Sequence, residues 1–292
     1  MTRCLHASVL CSAVVLSVAP AASADSAETL IVRGIHKVAG STNVSGGSAE
    51  ASSQWSNPPP TYGETLTGSA NVFTTGGAVA PTVDATSNYG SVSCGAIGTT
   101  TASDVIIRRR DGGGAGSPVL ATAYIMPALL FNIEGDVHSS QRVFNFVKLE
   151  WSASVVSFSG STYSVSGSTN YNMEGSSGSP LNSPVPLNFE ARVGEAFSVS
   201  IHAYLSCMAS GFQVGGNGFT GHANVVGTSV VQLDSSSETN FVGNRTAFVL
   251  PEGYTADSEA FGIVDNMMAP VPGPGAFALL AMAGVAGRVR RR

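Results

Sequence analysis

Few side chains in this 292-residue sequence have the type and spacing that chemistry requires. Beyond the first 24 residues the histidines are His36, His138, His202 and His222. None lies in a His-Glu-x-x-His arrangement and no two sit at a metal-ligand spacing, so no metal site is expected. Cys94 and Cys207 remain once Cys4 and Cys11 are set aside with those first residues. They form no Cys-x-x-Cys unit, which argues against structural zinc. Two readings of them stand: a disulfide, or two separate buried thiols. Serines are abundant, but no Gly-x-Ser-x-Gly elbow marks one as a nucleophile. Glu134 and Asp136 are a carboxylate pair of the kind glycosidases use. Directly after the apolar run at 129–133 they read more simply as a polar turn. Arg108-Arg109-Arg110-Asp111 reads as a solvated strand end, and "GGNG" (215–218) lacks the following helix that a phosphate loop needs. The remaining binding chemistry is aromatic. Trp55 and Tyr62 flank Pro58-Pro59-Pro60, and rings on so stiff a segment can stack on sugar faces or pack against another protein. The plainer reading is that they staple the segment to the domain. No catalytic residue, cofactor or metal is expected.

The elements that must position these residues are strands. In "FSVSIHAYLSC" (197–207), Phe197, Val199, Ile201, Ala203, Leu205 and Cys207 fall on one face. Ser198, Ser200, His202, Tyr204 and Ser206 fall on the other. A period of two marks a strand with one face in a core and one in water. Similar patterns predict strands over 29–38, 89–96, 104–110, 142–158, 161–174, 222–234 and 245–251. The stretch 120–135 reads as one or two buried strands, because Pro127 breaks a long helix. Turn-rich clusters at 111–118, 174–184 and 214–218 separate these segments. Alternation puts Cys94 on the face of Val92 and Ala96, so both cysteines are expected to point inward. Region 40–88 has few aliphatic residues and is expected to be a long surface excursion with sparse strand structure. About ten strands with polar turns and no long helix predict an all-β antiparallel sandwich of jelly-roll kind, occupying 25–270.

The two ends have a different character. Arg3, an apolar run from Val9 to Val18, and Ala22-Ser23-Ala24 follow the order of a signal peptide over 1–24, with Asp25 as the first mature residue. At the other end, Val271-Pro272-Gly273-Pro274 precedes an apolar stretch, Ala276 to Gly287, and then Arg288, Arg290, Arg291 and Arg292. Twelve residues make about 18 Å of helix, short of a hydrocarbon core of about 30 Å. The span is marginal, and its arginines would stay cytoplasmic by the positive-inside rule. Without both ends, nine basic residues face all 19 acidic ones, a net charge of −10 against −5 for the whole chain. So acidic a surface repels phosphates, and no nucleic-acid partner is expected.

The order of proline motif, short span and arginine cluster over 271–292 resembles the sorting tail of the PEP-CTERM proteins, in a variant where Gly273 stands in the place of the usual glutamate. The resemblance implies bacterial export and processing by an exosortase-type enzyme at the outer face of the cytoplasmic membrane. It further implies transient membrane insertion of the tail as a helix, and delivery to the cell surface or to a matrix of extracellular polysaccharide. The segment 248–266 is also similar to the final strands of many such proteins. The chain is therefore expected to be a non-enzymatic surface or matrix protein. The alternatives are a carbohydrate-binding module that uses Trp55 and Tyr62, and a sandwich-fold polysaccharide hydrolase.

Overall fold

A computed structural model describes residues 24–33, 36–45, 49–56, 66–88, 90–135, 145–172, 176–178, 183–211, 213–214, 219–220, 222–235 and 245–268. Among them the regular structure is strand. In chain order the strands are β1 (Ala24–Arg33), β2 (His36–Ser45), β3 (Glu50–Ser56), β4 (Leu66–Thr75), β5 (Ala78–Ser87), β6 (Gly90–Arg109) and β7 (Pro118–Gly135). There follow β8 (Phe146–Val156), β9 (Thr162–Tyr171), β10 (Ser176–Gly178), β11 (Val185–Arg192), β12 (Ala196–Gly211), β13 (Gln213–Val214) and β14 (Phe219–Thr220). The last are β15 (Ala223–Leu233), β16 (Arg245–Thr246), β17 (Tyr254–Asp257), β18 (Ile263–Val264) and β19 (Met267–Met268).

Two antiparallel sheets carry the fold. The first runs β2-β1-β6-β12-β8-β9, with β17 paired to the end of β6. The second runs β10-β7-β15-β5-β4-β3, with β11 also on β7. Their inner faces meet in one core. On β12 the six residues Phe197, Val199, Ile201, Ala203, Leu205 and Cys207 are all buried, as the alternation predicts. On β8, Val147, Leu149, Trp151, Ala153 and Val155 do the same. The core is graded. Where β6 faces β4 and β5 it is built from Ala, Val and Gly. Beside β11 it is aromatic, with Phe189, Phe197 and Phe248 packed at centroid distances of 5.3–5.9 Å.

Several expectations need correction. Region 40–88 is not a surface excursion: β3, β4 and β5 form one flank of the second sheet. The stretches 89–96 and 104–110 are parts of one twenty-residue strand, β6, whose polar middle hides its continuity. The stretch 29–38 is divided between β1 and β2, which pair as a hairpin. Of 245–251, only Arg245–Thr246 is strand, followed by a bridge from Val249 to Thr122. β11 has no counterpart in the sequence reading. The stretch 120–135 is a single strand, and Pro127 falls between the part of β7 paired with β11 (118–125) and the part paired with β10 (131–133). A residue without an N–H is tolerated where no neighbour on that edge asks for one.

Polar pins cross the core beside β1. The buried carboxylate of Asp25 accepts hydrogen bonds from Thr100 Oγ1 on β6 (2.8 Å) and Thr74 Oγ1 on β4 (3.0 Å), tying the two sheets together. Thr29 and Ser53 share a 2.7 Å hydroxyl contact between β1 and β3. Burial pushes the Asp25 carboxyl above its ordinary value of 3.8, and the bonds from Thr100 and Thr74 offset only part of that shift. A raised carboxyl favours the folded state when protonated. Its contribution is complete below the unfolded pKa and is lost as pH rises through the folded one. Asn at position 25 keeps an acceptor for Thr100 and leaves Thr74 its second acceptor, the Ala49 carbonyl (3.3 Å). The Asp25→Asn variant should therefore gain stability relative to wild type as pH rises above 3.8. Urea midpoints for both proteins at a series of pH values check this; parallel curves would refute it.

Candidate functional site

The two cysteines are directly opposite one another in the register of β6 and β12. Both side chains are buried thiols in the structure. Opposed residues of an antiparallel pair have Cα atoms about 4.5–5.5 Å apart, inside the span a disulfide accepts. Cys94 Sγ donates to the Asp84 carbonyl oxygen across the core at 3.2 Å. The sulfur has room because residue 68 is glycine: a Cβ there would come within 2.8 Å of it. Burial first, and then the neighbouring Cys94 and Asp84, hold the Cys207 thiol well above its ordinary value. Both sulfurs are enclosed, and the raised Cys207 thiol is unsuited to nucleophilic work.

The three arginines at the end of β6 are not a free basic patch. Arg108 pairs with Asp257 at 2.6 Å, Arg109 with Asp111, and Arg110 with Asp265 at 2.8 Å. Two of those acids belong to the C-terminal segment 245–268, which packs on the rim of the sandwich. A bulge in β6 opposite Ser198 turns Asp104 toward the same segment. Asp104 accepts from Ser258 Oγ (2.6 Å) and from the backbone N–H groups of Glu259 (2.8 Å) and Ala260 (3.1 Å). Phe248, fully buried, closes that end of the core. The run is an exposed strand end, as the sequence predicts, and two of its arginines also pair with acids of the segment 245–268.

At the rim near the β8–β9 turn, a cleft of about 50 Å³ is lined by Phe158, Tyr163, Glu190, Arg192 and Glu195. Phe158 is 74% exposed. Glu195 Oε2 is enclosed and, among the described residues, has no hydrogen-bond partner. Hydroxyls of Ser157, Ser159 and Ser161 link to one another at 2.9 and 3.3 Å along the turn. Sequence reasoning missed this cleft, because its residues come from two hairpins with no shared spacing.

The other predicted residues are dispersed. His202 lies on the outer face of the first sheet with Nδ1 3.0 Å from Thr99 Oγ1, and burial lowers its pKa against the opposing pull of Glu150. Exposed Glu134 accepts from Asn132 Nδ2 at 2.7 Å; Asp136 is outside the described residues. Trp55 stands in β3 opposite Gly68 rather than in a loop, and its side chain is outside the described set, as is Tyr62. Val271, Pro272, Gly273, Pro274, Arg288, Arg290, Arg291 and Arg292 are outside it too. Among the described residues no group of three or more His, Cys, Asp or Glu side chains is placed to hold a metal ion, and no helix is long and apolar enough to cross a membrane.

No family model matches the chain, and no curated protein does. Among solved structures, the infectious bursal disease virus Gx strain aligns over 90% of this chain and 74% of its own, at 11% identity and a TM-score of 0.15. The VP2 subviral particle of the same virus aligns over 93% and 75%, at 12% identity and a TM-score of 0.14. Likenesses this slight carry no argument about fold or function.

The opposed cysteines give a direct expectation. In an oxidising compartment they should join, closing a loop long enough to contribute about 4–5 kcal/mol in the chain-entropy model. Alkylation of the unfolded, unreduced exported protein should label neither cysteine, and prior reduction should expose both. Labelling of Cys94 and Cys207 without reductant would show that they stay thiols.

Proposed function

We propose that this chain is an exported bacterial surface or extracellular-matrix protein without enzymatic activity. In this reading a signal helix over 1–24 directs export, the body is a sandwich of jelly-roll kind, and a helical tail over 271–292 is cut by an exosortase-type enzyme after transient membrane insertion. The observation that carries the reading is the tail: Val271-Pro272-Gly273-Pro274, the marginal span Ala276–Gly287, and the terminal arginines. Intact-mass analysis of membrane and medium fractions tests the proposal. The final form should begin at Asp25 and lack 276–287. Replacing Pro272 and Pro274 with Ala should leave uncut protein in the membrane. Replacing the four arginines with Ser should let uncut protein escape outward. The apolar segment present in wild-type protein at its final location would mark a permanent anchor and overturn the reading.

A carbohydrate-binding role is a second reading, favoured by the cleft beside Phe158. An exposed ring can stack on a sugar face, while Glu195 and the serine hydroxyls supply acceptors and donors for its hydroxyls. In affinity electrophoresis through dextran, galactomannan and xylan, wild type should be retarded by at least one polymer. The Phe158→Ala variant should lose about tenfold in affinity. Unchanged mobility of the wild-type protein in all three would discard this role.

A further inference from the structure

Each sheet has two lateral edges, and three of the four are protected. On one side of the sandwich β2 and β3 lie against each other: a Cβ at Gly40 would come within 2.7 Å of the Ser52 carbonyl oxygen. On the other side the second sheet ends in β10, three residues long, and β11, which carries Pro186, Glu190 and Arg192. Short strands, prolines and charges are the usual defences of an edge. β9 has none of them. Its ten residues, "TYSVSGSTNY", include no charge and no proline. Its pairing with β8 runs from Val156↔Thr162 to Val147↔Tyr171 without a bulge. Every residue is at least partly exposed, and β8 is its one hydrogen-bonded neighbour among the described strands.

The strand is also its own complement. Pairing it antiparallel to a second copy about Gly167 sets Ser166 against Ser168 of the second copy and Ser164 against Asn170. On the inner face Val165 meets Thr169 and Tyr163 meets Tyr171. Inward residues meet inward residues throughout, so both cores keep their orientation. On the neighbouring strand Lys148 and Glu150 already pair at 2.7 Å within one chain, so no unpaired charge is brought to the seam. We propose that β9 is a homodimer edge, joining the first sheets of two copies into one continuous antiparallel sheet about a two-fold axis at Gly167. Because each described chain offers one such edge, the association closes at two copies and does not propagate. The proposal rests on this edge and not on export or sorting; Tyr163, at one end of the seam, also lines the rim cleft.

Sedimentation equilibrium of the purified full protein, across micromolar to high-micromolar concentration, should show a monomer–dimer equilibrium. Ser166 and Ser168 are exposed, so charged replacements should leave the fold intact, as thermal melting will show. The Ser166→Lys, Ser168→Lys double variant sets lysine against lysine twice and should weaken dimerisation at least about tenfold. The Ser166→Lys, Ser168→Glu double variant sets lysine against glutamate twice and should restore it. A monomeric wild type would overturn the proposal, as would a Lys/Lys variant that dimerises like wild type. A Lys/Glu variant as weak as the Lys/Lys variant would exclude the two-fold register.

Discussion

The close approach of the two sheets beneath β6 is the constraint on which the remainder of the structure depends. A Cβ at Gly98 would fall 2.5 Å from Val79 and 2.8 Å from Val72 on the opposite sheet. At Gly227 it would fall 3.0 Å from Val147, and at Gly68 2.8 Å from Cys94 Sγ. These are three glycines on inner faces, where most sandwiches place large aliphatics. They let the backbones come together, and neighbouring Ala and Val residues fill the thin interval. The interval then widens toward β11, where aromatic rings take over. A sandwich of uniform thickness built from these residues would leave voids at one side or overlaps at the other, and either is costly.

The same thinness explains the polar pins. With little apolar bulk between β1 and β4, side chains as short as Asp25, Thr74 and Thr100 span both sheets with hydrogen bonds. The desolvation that raises the Asp25 carboxyl is the energetic cost of this arrangement. At the thick end the solution is reversed: Phe248 fills the interior, and charges at the rim hold its segment in place. Asp104, aimed by the bulge in β6, and the Arg108 and Arg110 pairs work from the outside on the segment that Phe248 anchors from within.

How much of this was legible in the sequence follows from the same gradient. Strands that face aliphatic or aromatic neighbours, such as β8 and β12, announce themselves by alternation. β4 does not, because its inner face reads Leu66, Gly68, Ala70, Val72, Thr74, and a hydrophobicity pattern cannot register a glycine whose role is to be small. That is why region 40–88 read as a surface excursion. β6 read as two strands because Thr100, buried and bound to Asp25, looks in sequence like part of a polar turn. Inward-facing Cys94 and Cys207 were visible from alternation, but their direct opposition depends on register, which sequence does not give. The rim cleft and the Arg108 and Arg110 pairs join residues far apart in the chain, and no local pattern could have assembled them.

The outer face of the first sheet carries rows of short polar side chains. Register aligns Ser164, Ser154, Ser200 and Thr101 in one row, and Ser166, Ser152, His202, Thr99 and Ser26 in the next. Short hydroxyls on a sheet lie level with the pleat. Two places with unmet bonding capacity among the described residues lie where the pleat ends. Glu195 is held in a cleft between two hairpins, and the backbone of β9 lies along the lateral edge. In this fold the sheets supply rigidity, and both proposed recognition sites lie at their margins.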